Sequence, residues 1–217
     1  ALSVSFKAAG TVYYVIRGEG CSTQDNNVIE WRAGDLFCFP GAGKTVHQAG
    51  ARDSLLFLAT NEPLLSIDRL SPPPPAEAVV EAVHWPADEI TRQFEPVLRR
   101  PITEKTSGHA VLFSSSALGG STNILPTVNC ALNTLESGKD QRPHRHNGVA
   151  VTLCIQGQGV YSQIDDQRVD WIDFGVQITP PAALHSHHNR GPERMECLIF
   201  QDEALHYYTR TPGFSWT

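Results

Sequence analysis

Two stretches of this chain repeat one another, and the repeat limits the possible folds more than any other feature. Ile16-Arg17-Gly18-Glu19-Gly20 matches Ile155-Gln156-Gly157-Gln158-Gly159, Ile29-Glu30-Trp31 matches Val169-Asp170-Trp171, and Phe39-Pro40 matches Thr179-Pro180. Leu55-Leu56-Phe57 resembles Leu198-Ile199-Phe200, and an acidic, loop-like stretch follows both. A period this long marks a duplicated structural unit. Within each copy the text is short runs of strand formers, such as Thr11 to Ile16, Leu36 to Phe39 and Ser54 to Ala59, punctuated by Gly, Asn and Pro. That grammar predicts antiparallel β-barrels or sandwiches.

Between the copies lie a run of prolines, Pro72 to Pro75, which cannot pair in a sheet, and one expected helix from Pro86 to Leu98. Pro86 suits a first turn, Asp88 and Glu89 complement the dipole, and Ile90, Phe94 and Leu98 share a face. The expected organisation is all-β: a degenerate barrel over 1–70, a Pro-rich linker and helix over 71–108, and a second barrel over 109–217.

Chemistry concentrates in the second copy. Pro143-His144-Arg145-His146-Asn147 precedes the apolar run Val149 to Ile155. On a strand, residues i and i+2 face the same side, so His144 and His146 point together and Arg145 points away. His185-Ser186-His187 repeats the arrangement. Two such pairs on separate strands suit a metal site of neutral imidazoles inside a barrel. Carried back through the repeat, His144 and His146 land on Ser5 and Lys7, and His185 near Thr45; only His187 has a counterpart, His47. One metal per chain is therefore expected, in the second barrel. The first barrel is read as a structural or interface copy in a chain expected to form a homo-oligomer.

Composition removes several classes. A net charge of −6 and a pI near 5.8 over 217 residues argue against nucleic acid. No apolar run is long enough to span a bilayer, and the opening to Ile16 is broken by Lys7 without a basic leader, so no signal peptide is expected. Five cysteines, odd in number and set in apolar text, read as reduced cytosolic thiols, placing the protein in the cytoplasm.

With Gly138, Pro143-His144-Arg145-His146, Gln156-Gly157-Gln158-Gly159-Val160-Tyr161, Trp171, Thr179-Pro180 and His185-Ser186-His187, the chain resembles the cupin superfamily. It is similar in particular to bicupins such as gentisate, salicylate and 1-hydroxy-2-naphthoate dioxygenases. The glutamate ligand usual in cupins is replaced here by Ala150 and Val151, as in the three-histidine dioxygenase variant. The resemblance implies two cupin (jelly-roll) barrels in tandem and Fe(II) on His144, His146 and His185, with His187 near the metal but not bound to it. Where gentisate enzymes carry a carboxylate-binding arginine this chain has Thr152, and a family glutamine falls at Asn133. Both are candidate substrate contacts, and the change at Thr152 favours a bulkier or less anionic phenol over gentisate.

Three imidazoles on one face of an octahedral metal leave three positions for a bidentate aromatic substrate and O₂. Oxygen chemistry calls for a redox metal, Fe(II) first; Mn, Ni or Zn would suit a redox-neutral isomerase, cyclase or hydrolase. His187 is the candidate acid or base on a substrate hydroxyl. Arg190, or Arg194, is a candidate contact for an anionic substrate, and Gln201 and Asp202 are candidates for the pocket mouth. The reading is an Fe(II)-dependent ring-cleaving dioxygenase of a hydroxylated aromatic acid or phenol. Its alternatives are a redox-neutral metal cupin and a non-enzymatic ligand-binding bicupin.

Overall fold

The computed structural model describes residues 1–103, 108–118, 120–208, 210–211 and 213–217. The chain divides into two compact units, 1–92 with 114–126, and 93–113 with 127–217. The division falls inside the central helix, and 114–126 groups with the first unit although it follows the second copy's expected start.

The first unit contains β1 (Leu2–Val4), β2 (Gly10–Arg17), β3 (Glu19–Gln24), β4 (Asn27–Arg32), β5 (Leu36–Pro40), β6 (Thr45–Ala49), β7 (Leu55–Thr60) and, after the short helix α1 (Glu62–Ile67), β8 (Val83–Trp85). These strands form two antiparallel sheets, ordered β1-β6-β3-β4 and β7-β2-β5-β8. Tyr13, Val15, Phe37 and Phe39 from one sheet close on Ile29 and Trp31 from the other. Alternation explains the pairing: each strand turns every second side chain inward, and the apolar ones fall at those positions.

The second unit carries β9 (His109–Leu112), β10 (Asn129–Leu135), β11 (His144–His146), β12 (Ala150–Gln156), β13 (Val160–Ile164), β14 (Gln167–Asp170), β15 (Val176–Thr179), β16 (His185–Asn189), β17 (Met195–Gln201) and β18 (Phe214–Trp216). Its sheets are ordered β14-β13-β16-β11-β18 and β15-β12-β17-β10-β9. Strand for strand, β1 to β7 correspond to β11 to β17, down to a bulge at Val15/Arg17 that recurs at Cys154/Gln156. Each unit thus has two facing antiparallel sheets, as a cupin barrel requires. The strand β10 has no counterpart before β2, so β7 is an edge among the described residues.

The register corrects one carry-back through the repeat. Val4 lies opposite Thr45 as His144 lies opposite His185. The first-copy counterparts of His144 and His146 are therefore Val4 and Phe6 rather than Ser5 and Lys7, because the loop before β2 is one residue longer than its copy. Val4 and Phe6 are half-buried, whereas Ser5 and Lys7 are exposed.

The central helix, α2 (Ala87–Leu98), forms where its apolar spacing predicts, with Phe94 buried and Pro96 tolerated in the last turn. Its start is held by Asp35, whose carboxylate accepts from the backbone N–H groups of Ala87 (2.8 Å) and Arg32 (3.0 Å) and bonds His84 Nε2 (2.9 Å). A buried carboxylate at a helix start satisfies an orphan N–H and suits the dipole. The second copy has Gly175 at that position and no helix to hold. One residue earlier, Gly34 (φ 89°) is matched by Phe174 (φ 59°), so the copy keeps the left-handed turn without the residue that favours it. A third, short helix, α3 (Ala204–Tyr208), follows β17. Among the described residues, no helix is long and apolar enough to cross a membrane, and all five cysteines are free thiols.

Candidate metal centre

The antiparallel neighbours β11 and β16 place His144 opposite His185, and strand alternation brings His146 and His187 to the same inner face. The ligand nitrogens of His144, His146 and His185 lie within 4.8 Å of one another, and among the described residues this is the one group of three His, Cys, Asp or Glu so arranged. The ring of His185 stands 4.2 Å from that of His144 and 4.6 Å from that of His146, centre to centre. All three side chains are buried.

Each ring is held in the same way. Nδ1 of His144 bonds the Arg142 carbonyl at 3.0 Å, Nδ1 of His146 the Gly148 carbonyl at 2.7 Å, and Nδ1 of His185 the Ala183 carbonyl at 3.0 Å. A carbonyl only accepts, so Nδ1 carries the proton and Nε2 keeps its lone pair. The Gln201 amide nitrogen, 3.1 Å from His146 Nε2, fits that assignment, since it can only donate. Burial lowers the pKa of His144, and takes that of His185 down to about 4, against the opposing pull of its carbonyl partner. His144 and His185 are thereby held neutral at pH 7, which is the form that binds metal.

His187 is organised differently. Its Nδ1 lies 2.8 Å from Ser162 Oγ, which also accepts the Trp171 indole N–H at 2.7 Å. Among the described residues Nδ1 is the one acceptor within reach of the serine O–H, so the hydroxyl donates to it, leaving the proton of His187 on Nε2. The backbone N–H of His187 donates to Gln141 Oε1. Full burial, then the other histidines, pushes its pKa down to about 3.

These groups enclose a cavity of about 110 Å³. Among the residues nominated from sequence, Asn133, Thr152, Gln201 and His187 line it together with the three candidate ligands. Arg190 and Asp202 do not: the Arg190 guanidinium pairs with Asp140 at 2.5 Å, and Asp202 Oδ1 accepts the Val149 N–H at 2.8 Å. Arg194 is engaged by Glu196 at 3.1 Å. Glu203, Gln141 and Phe214, none of them nominated from sequence, also line the cavity. Glu203 had a readable signal: Ile199, Gln201 and Glu203 continue one inward-facing alternation past the end of β17. It is buried, and its pKa is raised by burial, with His146 and His206 opposing. Phe214 reaches the site from β18, its ring 5.2 Å from that of His144.

The first barrel keeps the scaffold without the donors. Thr45 replaces His185, while Trp31, Ser22 and His47 reproduce the indole–serine–imidazole chain, at 2.7 and 2.6 Å.

The fold is that of the cupins, and its second barrel carries a three-histidine group that could hold a metal ion. Residues 131–200 match the family model of the cupin domain. The chain resembles gentisate 1,2-dioxygenases: it is 26% identical to that of a Streptomyces species over 144 residues, 64% of this chain and 39% of the relative. A second, from Aquipseudomonas alcaligenes, is 27% identical over 108 residues, 49% of this chain and 31% of the relative. The matches thus span well under half the length of either relative. Among solved structures, salicylate 1,2-dioxygenase from Pseudaminobacter salicylatoxidans superposes with a TM-score of 0.80 at 13% identity, covering 99% of this chain and 73% of that one. Its gentisate adduct gives 0.82 at 12% identity, covering 99% and 70%. These structural likenesses define the fold.

Proposed function

We propose that this chain carries the active centre of an Fe(II)-dependent, ring-cleaving dioxygenase acting on a hydroxylated aromatic compound, an acid or a phenol. One observation carries the reading: three buried imidazoles, each tied at Nδ1 to a backbone carbonyl, present Nε2 to one small cavity. That donor set fits a metal ion, and with no carboxylate ligand among the three it matches the histidine-only variant of the non-haem oxygenase sites. When bound, Fe(II) supplies Lewis acidity and the one-electron couple that oxygen chemistry requires.

The chain's own groups take the remaining roles. His144, His146 and His185 hold the metal. His187, fixed by Ser162, offers its Nε2–H to a substrate oxygen as hydrogen-bond donor. Asn133 and Thr152 contact the substrate. The Gln201 amide, on His146 Nε2 in this structure, competes with a metal for that lone pair and turns to the substrate when the site is filled. Arg190 and Asp202 stay outside the proposed site. In the same reading 1–70 is the barrel without metal, 71–108 the connection and 109–217 the working barrel, in a cytoplasmic homo-oligomer.

The test is oxygen uptake. Apoprotein reloaded anaerobically with Fe(II) should consume O₂ when given ortho- or para-hydroxylated aromatic compounds, and zinc-loaded protein should not. Equal turnover with zinc would move the protein to the redox-neutral class. No ligand-dependent uptake and no turnover with any metal would leave a binding protein.

A further inference from the structure

Resting on the proposed function, and narrowing it, we infer that the cavity selects a neutral single-ring phenol or dihydroxybenzene over an aromatic carboxylate, and that Glu203 sets this preference.

The charge of the wall is the first observation. Among the described residues, Glu203 is the one ionisable side chain lining the cavity besides the four histidines, and neither lysine nor arginine lines it. The neighbouring arginines are engaged elsewhere. Arg145 donates to the Ala182 carbonyl (2.6 Å) and lies near Asp165. Arg142 stacks on Trp216 and donates to the Thr217 carbonyl. The metal offers its charge to any anionic or phenolic oxygen; beyond it, a carboxylate substrate meets the buried Glu203 carboxylate with no protein cation to offset it, and like charges at close range in a desolvated site are unfavourable.

The second observation is an excess of acceptors. Asn133 Oδ1 is buried without a hydrogen-bond partner, and the Glu203 carboxylate adds two more acceptor oxygens. An O–H group satisfies such atoms and a carboxylate does not, and an unmatched buried acceptor costs binding free energy. Ala131, Ala150, Ile199 and Phe214 supply the apolar wall that a ring requires.

Size completes the argument. A dry apolar cavity of about 150 Å³ holds benzene; this one is about 110 Å³, which argues against a fused-ring or otherwise bulkier substrate. Of the two sequence-based options, less anionic or bulkier, the structure favours the first.

The experiment measures binding to the zinc-loaded full chain, where no oxygen chemistry intervenes. Isothermal titration compares 1,4-dihydroxybenzene with 2-hydroxybenzoate for the unaltered protein and for Glu203→Gln, with zinc content and circular dichroism as controls on folding. The unaltered protein should bind the neutral phenol about tenfold more tightly, and Glu203→Gln should bring the two affinities together by improving the carboxylate. Preference for 2-hydroxybenzoate, an unchanged ratio in the variant, or binding of neither probe with zinc in place overturns the inference. Because zinc is redox-silent, this result is independent of whether the iron form consumes O₂. Should Glu203→Gln lose zinc or fold poorly, Glu203→Asp replaces it: the retained charge should keep the preference, and its loss there counts against the inference.

Discussion

His47 and His187 occupy the same position in two barrels: each ring's Nδ1 meets a serine hydroxyl, Ser22 at 2.6 Å and Ser162 at 2.8 Å, that also accepts an indole N–H. The chain of three residues therefore does not depend on the metal ligands, since it is present in the barrel that lacks them. Its first task is to lock β3 to β6 and β13 to β16 through buried polar contacts. In the second barrel the same lock aims a fixed N–H donor into the cavity.

Ser22→Ala and Ser162→Ala should each destabilise the protein by about 1–3 kcal/mol, because each strands a buried indole N–H and an imidazole nitrogen. Chemical denaturation checks this. Metal content should be unchanged in Ser22→Ala. A fully stable Ser162→Ala would show that the contact is incidental.

Phe174 adopts a left-handed conformation where the first barrel has Gly34. A non-glycine residue there carries strain of about 1–2 kcal/mol, offset in part by the extra entropy glycine loses on folding. Phe174→Gly should therefore raise the thermal midpoint, with a net gain of about 0.5–1 kcal/mol. A lowered midpoint would mean that the half-exposed ring makes compensating contacts.

Much of the centre was legible because strand alternation is a rigid rule. It paired His144 with His146 and His185 with His187, and it turned Arg145 away. The same rule, run past the end of β17, reaches Glu203. What could not be read was anything set between strands. A loop one residue longer than its copy shifted the counterpart of His144 from Ser5 to Val4, and the serine that joins His187 to Trp171 lies on a third strand. Arg190 looked available in sequence because its partner, Asp140, is fifty residues away. The central helix was visible from its apolar spacing, but its anchor on Asp35 depends on a contact across fifty-two positions.

Acid should weaken the apoprotein in a defined window. An imidazole in the unfolded chain titrates near 6.5, whereas burial holds His185 near about 4 and His187 near about 3. Below pH about 6.5 the unfolded chain takes up protons that the folded one refuses, so stability is complete above that value and falls as the pH drops toward 4. His185 alone should account for roughly 3 kcal/mol by the lower end. Thermal midpoints of chelator-treated protein between pH 7 and 4.5 measure the slope, and His185→Ala should flatten it. A flat profile in the unaltered apoprotein would contradict the burial of these rings.

The second barrel alone is expected to hold a metal, on His144, His146 and His185. Elemental analysis of protein purified without a histidine tag, after saturation with Fe(II) under anaerobic conditions and removal of loose ions, tests it most directly. About one equivalent per chain is expected, falling to background in a folded His144→Ala/His146→Ala variant. Two equivalents, or one equivalent retained in that variant, would contradict it.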